Sequence, residues 1–135
     1  MFPSYRGRWL PDTPMQRKLV LERLRDWYPF SNSSPVEGIV EAIRTYYASG
    51  LRISLYVLGD EFTGSSIDSV LKTVDMINRE DKGGKRRVRI HALGFPVRPD
   101  APQVTSIRFA SLMRALCERN GGTFVGLNEP GSYPR

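Results

Sequence analysis

The stretch Ile53-Ser54-Leu55-Tyr56-Val57-Leu58, closed by Gly59-Asp60, constrains this chain more than any other. A short apolar run bounded by turn residues reads as a strand buried on both faces, as in a parallel sheet. The segments around it fit that reading. Val36, Ile39, Val40, Ile43 and Tyr47 form a helical stripe before it, opened by Pro35 and stopped at Gly50. After it, Ser65 or Ser66 caps a helix with Ile67, Val70, Leu71, Val74 and Ile77 inward. A second strand, Arg87 to Leu93, ends at Gly94. A fourth helix begins at Ser106, with Ile107, Ala110, Leu112 or Met113, Leu116 and Cys117 inward, and Thr123 to Leu127 is a third strand. Helices between consecutive strands make those strands parallel, so the fold class is α/β.

Ahead of these elements, residues 1–14 are an irregular lead-in rich in proline and aromatics. From Met15 a helix is expected, with Val20, Leu24 and Trp27 on one side and an end near Pro29. Residues 15–127 form the folded part and 128–135 a turn-rich tail. A length of 135 residues favours one domain, and 40% hydrophobic with 25% charged residues is ordinary for a globular protein. No run reaches the roughly 18–20 apolar residues of a membrane helix, and no leader-type apolar segment opens the chain. The single cysteine, Cys117, excludes a disulfide scaffold, which together with the missing leader gives a cytoplasmic expectation.

The net charge is +6, and 16 of the 20 basic residues are arginine. Their densest block, Lys82 to Arg89, holds no aromatic residue for base stacking. It reads as a solvated loop between helix and strand, and nucleic acid is the disfavoured partner.

In a parallel α/β sheet, ligands sit beyond the carboxyl ends of the strands. That rim gathers Gly59-Asp60-Glu61, Gly94-Phe95 and Leu127-Asn128, and only the first follows its strand with acids. Asp60, a hard anionic oxygen donor, and the Asn32-Ser33-Ser34 loop, a source of hydroxyls, fall at the same rim. Such oxygens suit Mg²⁺ completed by water. A plain turn-capping role for Asp60 stands beside that reading. Asp60-Glu61-Phe62-Thr63 partly matches the nucleophile loop of haloacid dehalogenase-like phosphotransferases, but Phe62 stands where a second carboxylate is needed. His91, the one histidine, reads as a satisfied buried imidazole, and Thr63 to Ser66 as a helix cap.

Leu55-Tyr56-Val57-Leu58-Gly59-Asp60-Glu61-Phe62 resembles the strand of von Willebrand factor type A (vWA) domains that runs into a Thr-Asp-Gly-like turn. Ser31 to Ile39 is similar to that family's Gly-Gly-Thr loop and following helix. Arg89 to Phe95 is similar to the next strand, with its Gly-Phe end, and Leu112 to Val125 to the last helix, Gly-Gly turn and strand. The resemblance implies a Rossmann-like three-layer sandwich with a mainly parallel sheet. It implies a metal ion-dependent adhesion site to which Asp60 and Ser33 contribute, with Mg²⁺ as the ion. The family's Asp-x-Ser-x-Ser loop has no counterpart here, and Gly59 and Glu61 replace the usual neighbours of the Asp. The expected domain is therefore incomplete, the C-terminal part of a longer one. A strand bearing the absent loop would pair with Ile53–Leu58.

The functional expectation is a non-enzymatic module that recognises a protein partner at the carboxyl rim, through a divalent ion in the complete domain. No small-molecule substrate is identified. The alternative is a metal-dependent hydrolase or phosphotransferase using Asp60.

Overall fold

The computed structural model of the chain describes residues 2–28, 34–48, 50–64, 66–79, 83–96 and 103–127. It forms two compact units, residues 1–33 and 34–135. In the first, a 3₁₀ turn over Pro3–Tyr5 precedes helix α1, Pro14–Arg25. Thr13 caps α1, its Oγ1 accepting from Gln16 N–H at 3.2 Å, and Pro14 occupies the first turn, where a missing N–H costs nothing. Arg17 forks onto both carboxylate oxygens of Asp12 at 2.5 and 2.8 Å, which holds the Asp12 carboxyl below its ordinary range. The expected stripe is not a core face. No residue of α1 is buried, and Trp27 lies past the helix end, 48% exposed. Arginine, lysine and glutamate are interleaved too densely along α1 to leave an apolar side.

The second unit is α/β. Its elements are α2 (Pro35–Tyr46), β1 (Ile53–Gly59), α3 (Ile67–Ile77), β2 (Val88–Gly94), α4 (Gln103–Arg119) and β3 (Phe124–Gly126). The strands are all parallel in the order β1-β2-β3, with Ile53 opposite Val88 and Ala92 opposite Phe124. Adding strands in one direction by right-handed crossovers lays every helix on the same face. That is the arrangement here: Ile39 and Ile43 of α2, Val70, Leu71 and Val74 of α3, and Phe109, Leu112, Met113, Leu116 and Cys117 of α4 share one core with Val57, Val88, Ile90 and Ala92.

This corrects the expectation of a strand buried on both faces. The opposite face carries Ser54, Tyr56 and Leu58 from β1, Arg89, His91 and Leu93 from β2, and Val125 from β3. Tyr56 is 62% exposed, Leu58 60% and Val125 47%. Among the described residues the second helical layer of a three-layer sandwich is not seen, and β1 is an edge strand. Two further corrections concern the helices. Ile107 is exposed, and Phe109, absent from the expected core, is fully buried. Ser66 sits at the start of α3 without a side-chain capping bond, whereas Ser34 does cap α2, accepting from Glu37 N–H at 3.4 Å.

At the amino end of β2, Ile53 N–H bonds Arg87 O at 2.9 Å, so Arg87 turns its backbone toward β1 and Val88 turns away. Strand β3 is too short to reach Val88. The Asn78 amide takes its place: Oδ1 accepts from Val88 N–H at 3.1 Å, and Nδ2 donates to Val88 O at 2.7 Å and to Asn120 Oδ1 at 2.7 Å. Asn120 Nδ2 in turn donates to Leu116 O at 2.7 Å, closing the end of α4. Asn78 and Asn120 are buried, and this chain of bonds ties α3, β2 and α4 together. Beside it, Asp75 lies between Arg86 (2.9 Å) and Arg119 (2.8 Å). Arg86 also donates to Asn78 O at 2.7 Å, and the Arg87 guanidinium lies 5.4 Å over the Tyr47 ring. The block read as a solvated loop is thus partly built into the fold; Lys82 lies outside the described residues.

Candidate functional site

The carboxyl rim begins with a row of glycines in register, Gly59, Gly94 and Gly126. A Cβ on Gly59 would stand 2.9 Å from the Phe109 ring, and one on Gly94 3.1 Å from Phe124. The row therefore makes room for two aromatic rings packed beneath the strand ends. The ladder continues one residue further, Phe95 N–H bonding Gly59 O and Leu127 N–H bonding Gly94 O, each at 2.8 Å. These bonds hold Phe95 and Leu127 on a rigid frame while leaving their side chains 45% and 40% exposed.

The loop after β1 is anchored by Phe62. Its ring is buried, its N–H bonds Thr105 O at 3.1 Å, and the Arg108 guanidinium lies 5.2 Å over the ring. Arg108 also donates to Gly64 O at 3.0 Å. Phe62 is thus a plug into α4, which explains physically why a carboxylate does not occupy this position. Glu61 accepts from Thr105 Oγ1 at 3.3 Å and is drawn toward α4. Asp60, at the tip of the edge strand, is exposed and has no hydrogen bond or ion pair to a described residue.

Of the two expected metal ligands, Asp60 stands on the rim, and Ser33 lies outside the described residues. No group of three or more His, Cys, Asp or Glu side chains among the described residues could hold a metal. One exposed carboxylate is fewer donors than a near-octahedral Mg²⁺ site needs to be pre-organised. The described residues therefore do not fit a resident magnesium ion by themselves.

His91 is satisfied but not buried in the core. It lies on the open face, its ring stacked 5.0 Å from that of Tyr56 at 15°, with Nδ1 accepting from Thr123 N–H at 3.2 Å. Cys117 is core packing, and burial pushes its thiol up. Sequence reasoning puts Gly94-Phe95 and Leu127-Asn128 on the rim (Asn128 lies outside the described residues) but does not single out Phe95 and Leu127 as its exposed anchors. The signal was available, since each follows a glycine that ends a strand. No helix among the described residues is long and apolar enough to cross a membrane. No family model, curated protein or solved structure matches the chain.

Proposed function

We propose that this chain is a non-enzymatic protein-binding module of vWA type, which meets a protein partner at the carboxyl rim of its sheet. The observation that carries this reading is the combination of rigidly held, exposed Phe95 and Leu127 with an exposed Asp60 carboxylate that has no partner among the described residues, all on one rim. Exposed aromatic and aliphatic anchors on a fixed backbone are what protein interfaces are built around. The parallel α/β sheet and the run of motifs from Ser31 to Val125 support the vWA reading, of which the described residues supply one helical layer and the sheet. Because the described donors fall short of a magnesium site, the recognition proposed for this chain is metal-free, with Asp60 meeting a cationic group directly. The hydrolase alternative gains nothing from the geometry, since Glu61 is drawn to α4 and Phe62 is core.

Panning a displayed peptide library against the immobilised chain tests the proposal. Converging binders should weaken about tenfold or more on Phe95→Asp, weaken on Asp60→Ala, and keep their affinity in chelator. A pool that never converges, or binders blind to both substitutions, would refute rim recognition.

A further inference from the structure

The amino end of the sheet is chemically the opposite of the rim. A cavity of about 470 Å³ opens there, lined by Arg52, Lys85, Arg86, Arg87, Arg89 and Arg119, with Glu118 as the one carboxylate among the described lining residues. Asp75 neutralises part of this charge by bridging Arg86 and Arg119. Arg52 and Arg89 make no hydrogen bond or ion pair to a described residue. The carbonyls at the end of α4 do not offset the charge, because Leu116 O, Cys117 O and Glu118 O already accept bonds from Asn120, Gly122 and Gly121. The cavity is continuous with the open face through Ser54 and Arg89, which belong to both. Further along that face come the Tyr56–His91 row and then the Leu58–Leu93 row, with Val125 beside Leu93. One surface therefore passes from strongly cationic to apolar along the strand direction.

From this gradient we infer that the open face receives an amphipathic helix of the protein partner, laid antiparallel to the strands with an acidic C-terminal turn in the basic cavity. Parallel sheets are covered on both faces, and a helix is the element that covers them. Helices α3 and α4, which return the chain between parallel strands, already run antiparallel to them on the other face. A helix in that direction brings the negative end of its dipole to the cavity. Acidic side chains at that end are unfavourable in an isolated helix, and Arg52 and Arg89 reverse the sign of the effect. A helix of about 15 residues, at 1.5 Å each, spans a seven-residue strand at about 3.3 Å each. Its apolar stripe lies on Tyr56, Leu58, Leu93 and Val125. This inference rests on the protein-binding reading, but its charge preference is read at Arg52 and Arg89, at the opposite end of the strands from Asp60 and Phe95, so the two can fail separately.

The test uses fluorescence anisotropy with a synthetic helical peptide carrying a leucine stripe and glutamates in its last turn. Controls are the same peptide with lysines in that turn, a stripe-scrambled peptide, and a single-stranded oligodeoxythymidylate. The glutamate peptide should bind about tenfold or more tighter than the lysine peptide at low salt, the gap narrowing as salt rises. The double variant R52E/R89E should invert that preference. Leu58→Asp, at an exposed position, should abolish binding of both peptides while leaving the melting transition in place. Equal binding of the glutamate and lysine peptides, a preference that survives R52E/R89E, or binding indifferent to the scrambled stripe would overturn the inference. Tighter binding of the oligonucleotide than of the glutamate peptide would also overturn it, in favour of a nucleic-acid surface.

Discussion

Replacing Asn78 by alanine should be among the most damaging single changes in the second unit. The side chain is fully buried and satisfies three groups at once: Val88 N–H, Val88 O and Asn120 Oδ1. Alanine leaves all three without a partner. A stranded buried polar group costs about 1–3 kcal/mol. Asn120 can turn and water can enter the vacated space, which brings the expected loss to about 3–5 kcal/mol, below the simple sum. Against a typical domain stability of roughly 5–15 kcal/mol this is a large fraction. With a urea dependence of about 2 kcal/mol per molar, the unfolding midpoint should fall by about 2 M. Asn120→Ala removes the shared 2.7 Å bond and the closure of Leu116 O. The double variant should therefore be less destabilised than the two singles added together, by about 1 kcal/mol or more. A loss under about 1 kcal/mol for Asn78→Ala, or strict additivity with Asn120→Ala, would show that the amide does not stand in for a strand.

Two glycines should respond in opposite directions. Gly122→Ala places a Cβ 1.7 Å from Ile90 O, so backbone must move, and a loss of about 3 kcal/mol or more is expected in urea unfolding. Gly38→Ala, inside α2 with nothing within 4 Å, should stabilise by about 0.5–1 kcal/mol. Burial raises the Cys117 thiol above its ordinary value of 9.0, so the unfolded chain ionises first. Stability should be undiminished by this group below that value and fall as pH climbs through it toward the folded-state value. Comparing alkaline unfolding of wild type with Cys117→Ala, the wild type should show the steeper decline. Isothermal titration with Mg²⁺ should give little or no heat, and any binding detected should vanish in Asp60→Ala; tight binding that survives the substitution would place the ion elsewhere.

Much of the second unit could be read directly from the chain. Regular apolar spacing announced α2 and α3, and the turn residues after Leu58, Leu93 and Leu127 marked the strand ends to within a residue or two. The open face was harder to see because β1 is apolar overall. The clue lay in alternate positions: Ser54 and Tyr56 in one strand, Arg89 and His91 in the next, which the register puts opposite one another on one face. Phe109 escaped because its place depends on Gly59 and Gly94, which are distant in sequence and open the space for its ring. Asn78 escaped for a similar reason, since its value depends on β3 stopping short of Val88. Of the site, the strand ends put Asp60, Phe95 and Leu127 on one rim, while the backbone bonds that hold Phe95 and Leu127 rigid cross the sheet and are not encoded locally. The basic block near Arg89 was judged along the chain alone, where Tyr56 on the neighbouring strand does not appear.

The sequential order of the three strands has a consequence for how this sheet can grow. A fourth strand joined beyond β3 by another right-handed connection would lay its helix on the layer already filled, leaving Tyr56 and Leu58 in water. A strand brought from β3 back to the outer edge of β1 reverses the direction of travel, and the same handedness then carries its connection across the opposite side. Chirality thus makes edge and face a single decision: a strand that returns to β1 brings with it the cover for the Tyr56 row.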